Sequence, residues 1–515
     1  MRLAPLVARR GPAAASRLIT HEGSLTRTQW LRLARALAGE LGARGLGPHD
    51  RLLLALPNGL EAAVWELAAA IGRMAVVGVP TGARLAELTT LRDVVRPRAL
   101  VYPPGGWTTE AEAVFGGATK AGTMLALTAS PVGAEAGTDA VPCGAGDALG
   151  SARGGDPVRL FATSGTTANP KIVVHTQDEV AFHAREAAGA LALTPRDVML
   201  CALPMAGAFG HAAFWSAVVA GAEIVLEPDF DAQRIAETIG RERVTCLFGS
   251  DTMLRRLMGL ADADRLLSSL AWAGFAAFGG AGHDLVGQAE REFGLLTFQV
   301  YGSSEAQALV AARSTMDPAA ARALAGGRLV DRDMAVRVVD PDDRTELARG
   351  QTGELELRGR SVFRRYFDNA DATARVLQGG WYRTGDLGRV DADGALTFVG
   401  RRDDALRLGG YLVDPAEVED VLRQHPALVD AQVVSGAPPG QRDYAVAFVL
   451  VRADAAMPAD PALRAWCESR LARHKVPKRF VAVDRFPVRH GPNGDKIRRA
   501  VLREWAREGG AQSRT

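Results

Sequence analysis

Apolar residues recur at helical spacing through 28–41 (Leu31, Leu33, Ala34, Leu37, Leu41), and Gly42 follows where a C-terminal cap belongs, so this stretch is predicted as a helix. A strand at 51–56, a helix at 58–70 and a buried strand at 75–79 come next, the alternation of a layered α/β fold. Between 129 and 156 the periodicity stops and Gly, Ala, Pro, Asp and Ser dominate, which predicts a surface connection. Two short apolar runs, 158–161 and 172–175, then read as buried strands flanking a polar turn at 163–171. Further on, the pattern gives an apolar helix at 212–220 capped by Gly221, a strand at 223–226, a helix from 252, a helix at 284–293 and a strand reaching Val300. No internal repeat is evident, and no Gly-x-Gly-x-x-Gly stands between a strand and a helix, so a dinucleotide fingerprint is absent.

Composition narrows the class. The chain has 515 residues, 47% apolar and 23% charged, which is soluble, globular and too long for one ordinary core. A net charge of +2 gives no bulk electrostatic reason to bind nucleic acid or a membrane surface. No segment reaches the length of an uninterrupted membrane span, and Arg73 interrupts the best candidate. The cysteines at 143, 201, 246 and 467 form no CxxC pair, which argues against a zinc site or a disulfide framework and fits a reducing cytoplasm. The first 17 residues carry Arg2, Arg9, Arg10 and Arg17 and no acid, in composition similar to a transit peptide; they are expected as a frayed or loosely docked end.

The turn at 163–171 holds the densest chemistry. Thr163, Ser164, Thr166 and Thr167 supply hydroxyl donors, Gly165 lets backbone N–H groups converge, and Lys171 adds positive charge, a set suited to triphosphate oxygens. Taken alone, the same string also fits a polar hairpin turn. It is not a Walker A loop, which needs Gly-Lys-Ser/Thr opening a helix.

Phe161-Ala162-Thr163-Ser164-Gly165-Thr166-Thr167-Ala168-Asn169-Pro170-Lys171 resembles the phosphate-binding signature of the adenylate-forming superfamily of acyl-CoA synthetases, luciferases and adenylation domains, with Ala168 and Ile172 at positions where glycine is usual. The resemblance spans nearly the whole chain. It implies an α/β fold with a large layered N-terminal domain of mixed sheets and helices (1–402) and a small, mobile α+β C-terminal domain (403–515). Phe278-Gly279-Gly280-Ala281-Gly282 is similar to the turn that lies against adenine, and Tyr301-Gly302-Ser303-Ser304-Glu305 matches Tyr-Gly-x-Thr/Ser-Glu. There the tyrosine ring stacks on adenine, Ser304 would bond the α-phosphate, and Glu305 would hold Mg²⁺, a hard cation that takes oxygen ligands.

Tyr382-Arg383-Thr384-Gly385-Asp386 matches the signature whose aspartate takes both ribose hydroxyls, which a carboxylate can do at once. Gly400-Arg401-Arg402-Asp403 follows, Arg401 supporting ribose or phosphate and Asp403 matching the hinge. Gly409 and Gly410 resemble the segment that lines the tunnel for a pantetheine thiol. Gly494-Asp495-Lys496-Ile497 resembles the closing signature, making Lys496 the lysine that bridges substrate carboxylate and α-phosphate, with Asp495 inserted before it.

By the same resemblance Phe209, Gly210, His211 and Asp251 fall at the acyl pocket. From the residues alone, His211 reads first as a core or capping histidine and Asp251 first as the cap of the helix from 252. Gly207 replaces a frequent histidine, and Ala208 stands where α-amino-acid enzymes carry an amine-binding aspartate, so an ordinary α-amino acid is disfavoured.

The function implied is ATP- and Mg²⁺-dependent activation of a small carboxylic acid to an acyl-adenylate, then transfer to the thiol of CoA. A stand-alone adenylation enzyme loading the phosphopantetheine of a carrier protein, and a nucleotide-binding homologue without ligase activity, stay open. No nucleic-acid partner is expected.

Overall fold

The computed structural model describes residues 2–8, 16–79, 83, 85–106, 108–120, 124–129, 153–163, 171–277, 282–402, 406–408, 411–413, 415–436, 444–489 and 496–508. Two long sheets organise the N-terminal domain. One runs through seven strands in the order Arg365–Tyr366, Lys171–Thr176, Pro157–Thr163, Ala75–Gly78, Arg51–Leu54, Ala99–Tyr102 and Leu125–Thr128. Its last five strands are parallel neighbours, fed by helices such as Leu60–Ile71, and the central ones, over 52–54 and Ala75–Gly78, are apolar runs buried along their length.

The second sheet has a parallel half and an antiparallel half. Leu296–Tyr301, Trp272–Ala276, Cys246–Ser250, Val198–Cys201, Glu223–Leu226 and Arg17–Thr20 pair in parallel in that order. From Tyr301 the ladder continues antiparallel through Ala311–Ala312, Gly326–Leu329, Leu396–Arg401, Trp381–Val390, Gly353–Arg358 and Ala335–Val339. Tyr301 therefore stands where the parallel half ends, the place where open α/β sheets gather ligands.

The smaller C-terminal domain packs Leu428–Gly436, Tyr444–Val451 and Arg479–Ala482 as one three-stranded sheet with the helices Pro415–Arg423, Asp460–Glu468 and Arg499–Arg507. Among the described residues its apolar clusters draw only on positions from Leu406 onward, and those of the large domain reach no further than Phe398.

Three expectations need correction. The N-terminus is not loosely docked over its described part: Leu3–Val7 is a helix whose Leu3, Leu6 and Val7 are buried, because its apolar side chains find a groove in the main core cluster. The first long helix runs Arg27–Ala43, through Gly42, and is started by a capping box of Thr26 and Gln29. The apolar helix expected at 212–220 begins earlier and spans Ala208–Ala220, so Phe209, Gly210 and His211 form its first turn. Gly210 allows this, since a Cβ there would lie 2.3 Å from the carbonyl oxygen of Pro204. The connection expected at 129–156 falls, over 130–152, outside the described residues.

Candidate active site

Strand-loop-strand is what the structure forms around the phosphate loop. Pro157–Thr163 and Lys171–Thr176 pair antiparallel, and Thr163 sits directly opposite Lys171 at the mouth of the turn. Ser164, Gly165, Thr166 and Thr167, with Gly279, Gly280 and Ala281 of the adenine turn, lie outside the described residues, as do Asp403, Gly409, Gly410 and the side chains of Thr163 and Lys496. Lys171 Nζ stands 5.3 Å from the centroid of the Tyr366 ring. The Tyr366 hydroxyl donates to Glu305 Oε1 at 2.8 Å. The lysine beside the phosphate loop and the carboxylate of the Tyr-Gly-Ser-Ser-Glu turn thus share one tyrosine, supplied by the Arg365–Tyr366 strand. Sequence reasoning missed Tyr366, and no local motif marks it: it lies in Phe363-Arg364-Arg365-Tyr366-Phe367, where nothing distinguishes it from its aromatic neighbours.

The Tyr301–Glu305 turn is tightly folded. A Cβ on Gly302 would lie 1.8 Å from the carbonyl oxygen of Ala308, so glycine is required by close approach. Gln307 and Ala308 are both left-handed, which turns the chain back after Glu305.

Asp386 and Arg401 face each other in register on neighbouring antiparallel strands, and Arg401 Nε lies 2.8 Å from Asp386 Oδ1. Asp386 Oδ2 accepts the Tyr301 hydroxyl at 2.6 Å, and the Tyr301 ring stacks on Phe398 with centroids 5.4 Å apart. The Arg401 N–H is not directed along a hydrogen bond to Oδ1, which is buried and keeps its acceptor capacity. A buried carboxylate oxygen without a hydrogen bond is costly unless a ligand supplies one, and a pair of ribose hydroxyls is a donor set that fits it.

Burial pushes the Asp386 carboxyl up to about 6, against the opposing pull of Arg401 and Tyr301. The sign for binding follows: only the ionised carboxylate can accept hydrogen bonds on both oxygens, so nucleotide affinity should be level above pH 6 and fall as the pH drops through it. Equilibrium binding of AMP between pH 8 and pH 5 checks this (about three pH units spanning the pKa), with Asp386→Asn expected to bind weakly and flatten the profile.

The pocket expectations divide. Phe209 packs on Phe248, centroids 5.4 Å apart, at the foot of an aromatic row that continues to Trp272 and Phe298. His211 sits in a buried polar cluster. It is 3% exposed, takes the indole N–H of Trp215 at 3.1 Å and lies 3.3 Å from Glu66 Oε2, and burial holds its imidazole below the ordinary range. Glu66 also pairs with the buried Arg159, whose other arm donates to the Met205 carbonyl at 2.7 Å. Asn58 grips the same loop, accepting from Met205 N at 2.8 Å and donating to the carbonyls of Cys201 and Leu203. This cluster fixes the loop entering the helix. Asp251 does not cap its helix either: Asp251–Met258 is capped by Ser250, whose hydroxyl accepts from Met253 N, and Asp251 is the first helical residue, buried.

Among the described residues no group of three or more His, Cys, Asp or Glu could hold a metal ion, and no helix is long and apolar enough to cross a membrane. The described cysteines, Cys201, Cys246 and Cys467, are buried and unpaired.

A mixed α/β protein with a large N-terminal and a smaller C-terminal domain, and a buried carboxylate tied to Tyr301 at the end of the parallel strands, has the architecture of a nucleotide-binding enzyme. The chain belongs to the AMP-binding enzyme family, whose profile matches residues 7–367, with the AMP-binding enzyme C-terminal domain matching 417–490. It is 33% identical over 330 residues to a 2-succinylbenzoate–CoA ligase of Geobacillus kaustophilus, covering 64% of this chain and 66% of that relative, just under two thirds. Over 483 residues, 93% of both chains, it is 27% identical to the long-chain-fatty-acid–CoA ligase FadD13 of Mycobacterium tuberculosis. Its fold is similar to that of the amide bond synthetase McbA from Marinactinospora thermotolerans, with a TM-score of 0.83, 28% identity and coverage of 98% and 99%.

Proposed function

We propose that this protein is an AMP-forming acid–thiol ligase that activates a small carboxylic acid with ATP and passes the acyl group to the thiol of CoA. The observation that carries the reading is the buried Asp386 carboxylate, oriented by Tyr301 and Arg401 and left with an open acceptor at the end of the parallel strands. In the first half-reaction a carboxylate oxygen attacks the α-phosphorus and the α–β anhydride bond breaks, releasing pyrophosphate. In the second, the thiol sulfur attacks the acyl carbon, the mixed-anhydride C–O bond breaks, AMP leaves, and the thiol proton passes to solvent.

Attack of one anion on another makes the catalysis chiefly electrostatic. Asp386 would take the ribose hydroxyls, and Tyr301, with one ring face covered by Phe398, would offer the other to adenine. Hydroxyls and N–H groups of 163–167 and the ammonium of Lys171 would receive the leaving pyrophosphate. Ser304 would bond the α-phosphate and Lys496 would stand between the reacting anions. Glu305 fits a Mg²⁺ ion held by one carboxylate and substrate phosphates, since Tyr366 occupies only one of its oxygens. That ion, when bound, supplies charge neutralisation at the phosphates.

The test is acid-dependent pyrophosphate exchange across a panel of aromatic, short-chain and β-amino acids. Exchange with none of them would overturn the ligase reading in favour of a nucleotide-binding homologue. Competition between CoA and a phosphopantetheinylated carrier protein then decides the acceptor. Scattered, unpaired cysteines support a cytoplasmic setting.

The boundary proposed between the domains is 402/403. It is supported by the separation of the apolar clusters and by Arg402, whose N–H donates to the Gly385 carbonyl at 2.9 Å and ties the last residue before Asp403 to the ribose strand. Asp403→Pro fixes φ at the hinge, so it should preserve one half-reaction and slow the other. Separate assays of pyrophosphate exchange and of thioester formation from a presynthesised acyl-adenylate read this, and equal loss of both would refute a hinge at Asp403.

A further inference from the structure

Resting on the ligase reading, we propose that His175 is a positioning residue for the Ser304–Glu305 turn, acting through the Ser304 carbonyl and backed by Glu179 and Arg364. His175 lies on the strand that leaves the phosphate loop, four residues after Lys171, and is fully buried. Its Nε2 is 2.7 Å from the Ser304 carbonyl oxygen, 129 residues away in sequence. A carbonyl only accepts, so Nε2 carries the proton, while Nδ1 makes no hydrogen bond and lies 3.7 Å from Glu179 Oε2.

Glu179 is itself immobilised. Its Oε2 accepts from Thr176 N at 2.9 Å and its Oε1 from Arg364 Nε at 2.7 Å. Arg364 follows Phe363, whose N–H donates to the Glu305 carbonyl at 2.7 Å. Glu179 is thereby packed beside the His175 ring and tied to the Phe363–Arg364 segment, which also holds Glu305. Both carbonyls of the turn are held, one by His175 and one by Phe363, and the Tyr366 hydroxyl holds the Glu305 carboxylate. Catalytic groups work when their supports leave them one geometry, and these contacts do so for the turn that carries Ser304 and Glu305.

The neighbouring His183 shows what a purely structural histidine looks like here. It is equally buried, neither ring nitrogen has a hydrogen-bond partner, and burial drives its imidazole down to about 3. His175 differs in spending its one N–H on the turn.

The consequence is selective. Loss of the His175 N–H should loosen the phosphate and metal end of the site and spare the ribose end, where Asp386 and Arg401 pair on strands His175 does not touch. The full-length chain and its variants are compared by equilibrium binding of ATP with Mg²⁺ and of adenosine, which has no phosphate. His175→Leu is expected to raise the Kd for Mg²⁺–ATP about tenfold and leave that for adenosine unchanged. His175→Gln, whose amide N–H reaches as far as Nε2, should restore affinity to within about threefold, and His183→Leu should behave as wild type. Arg364→Met, at an exposed position that tolerates substitution, should weaken Mg²⁺–ATP binding alone.

Equal weakening of adenosine and Mg²⁺–ATP, failure of glutamine to rescue, the same loss in His183→Leu, or unchanged binding in Arg364→Met would each overturn the proposal. Should His175→Leu not fold, the Gln and Arg364 variants still decide it. A wild-type chain that binds Mg²⁺–ATP but exchanges no pyrophosphate would overturn the ligase reading and leave this binding test intact.

Discussion

Lys496→Ala should lower acid-dependent pyrophosphate exchange by about a hundred- to a thousandfold, the cost of removing a group aimed at charge that develops in the transition state. Thioester formation from a presynthesised acyl-adenylate should survive, because no second anion has then to be brought to the α-phosphate. The assignment competes with two other lysines of the basic C-terminal segment. Lys475 is engaged elsewhere, its Nζ 2.6 Å from Glu417 Oε2, and Lys478 lies 5.5 Å from the ring centroid of Tyr444. Lys496 instead begins a two-residue strand whose backbone pairs opposite Arg489. If Lys475→Ala or Lys478→Ala loses exchange and Lys496→Ala keeps it, Asp495 has shifted the closing signature and the role belongs to another lysine.

Asp386→Ala should weaken ATP and AMP alike by about tenfold to a hundredfold, since hydrogen bonds to a charged acceptor are worth about 1.5–3 kcal/mol. The substitution also leaves Arg401 without its partner and the Tyr301 hydroxyl without its acceptor. Asp386→Asn separates these effects, keeping an acceptor for Tyr301 while losing the charge, so a smaller loss with asparagine assigns the remainder to the ion pair. Titration calorimetry with AMP reads both, and unchanged affinity in the alanine variant would remove Asp386 from the ribose site.

Much of the site was legible before any coordinates, because its chemistry is carried by short strings whose geometry is local. The pairing of 157–163 with 171–176 follows from two apolar runs around a polar turn, whereas the Asp386–Arg401 pair was not foreseen and comes from the register of two neighbouring strands. His211 was ambiguous for a physical reason. A histidine in the first turn of an apolar helix has the same local signal whether it faces a ligand or a buried carboxylate, and Glu66, 145 residues earlier, settles which. The Leu3–Val7 helix was misread for a similar one: five residues carry too little periodicity to announce that a groove awaits them.

Periodicity, turn residues and motif order are fixed by interactions over a few residues, so the sequence by itself determined the alternation of strands and helices, the phosphate-loop hairpin and the order of the signatures. Tertiary structure alone decided which distant groups meet. Tyr301 reaches Asp386 across 85 residues, Tyr366 reaches Glu305 across 61, and His175 reaches Ser304 across 129. Each of these contacts depends on the order in which strands join a sheet, and that order is set by how several apolar faces are buried at once, a collective requirement that no local window of the chain contains.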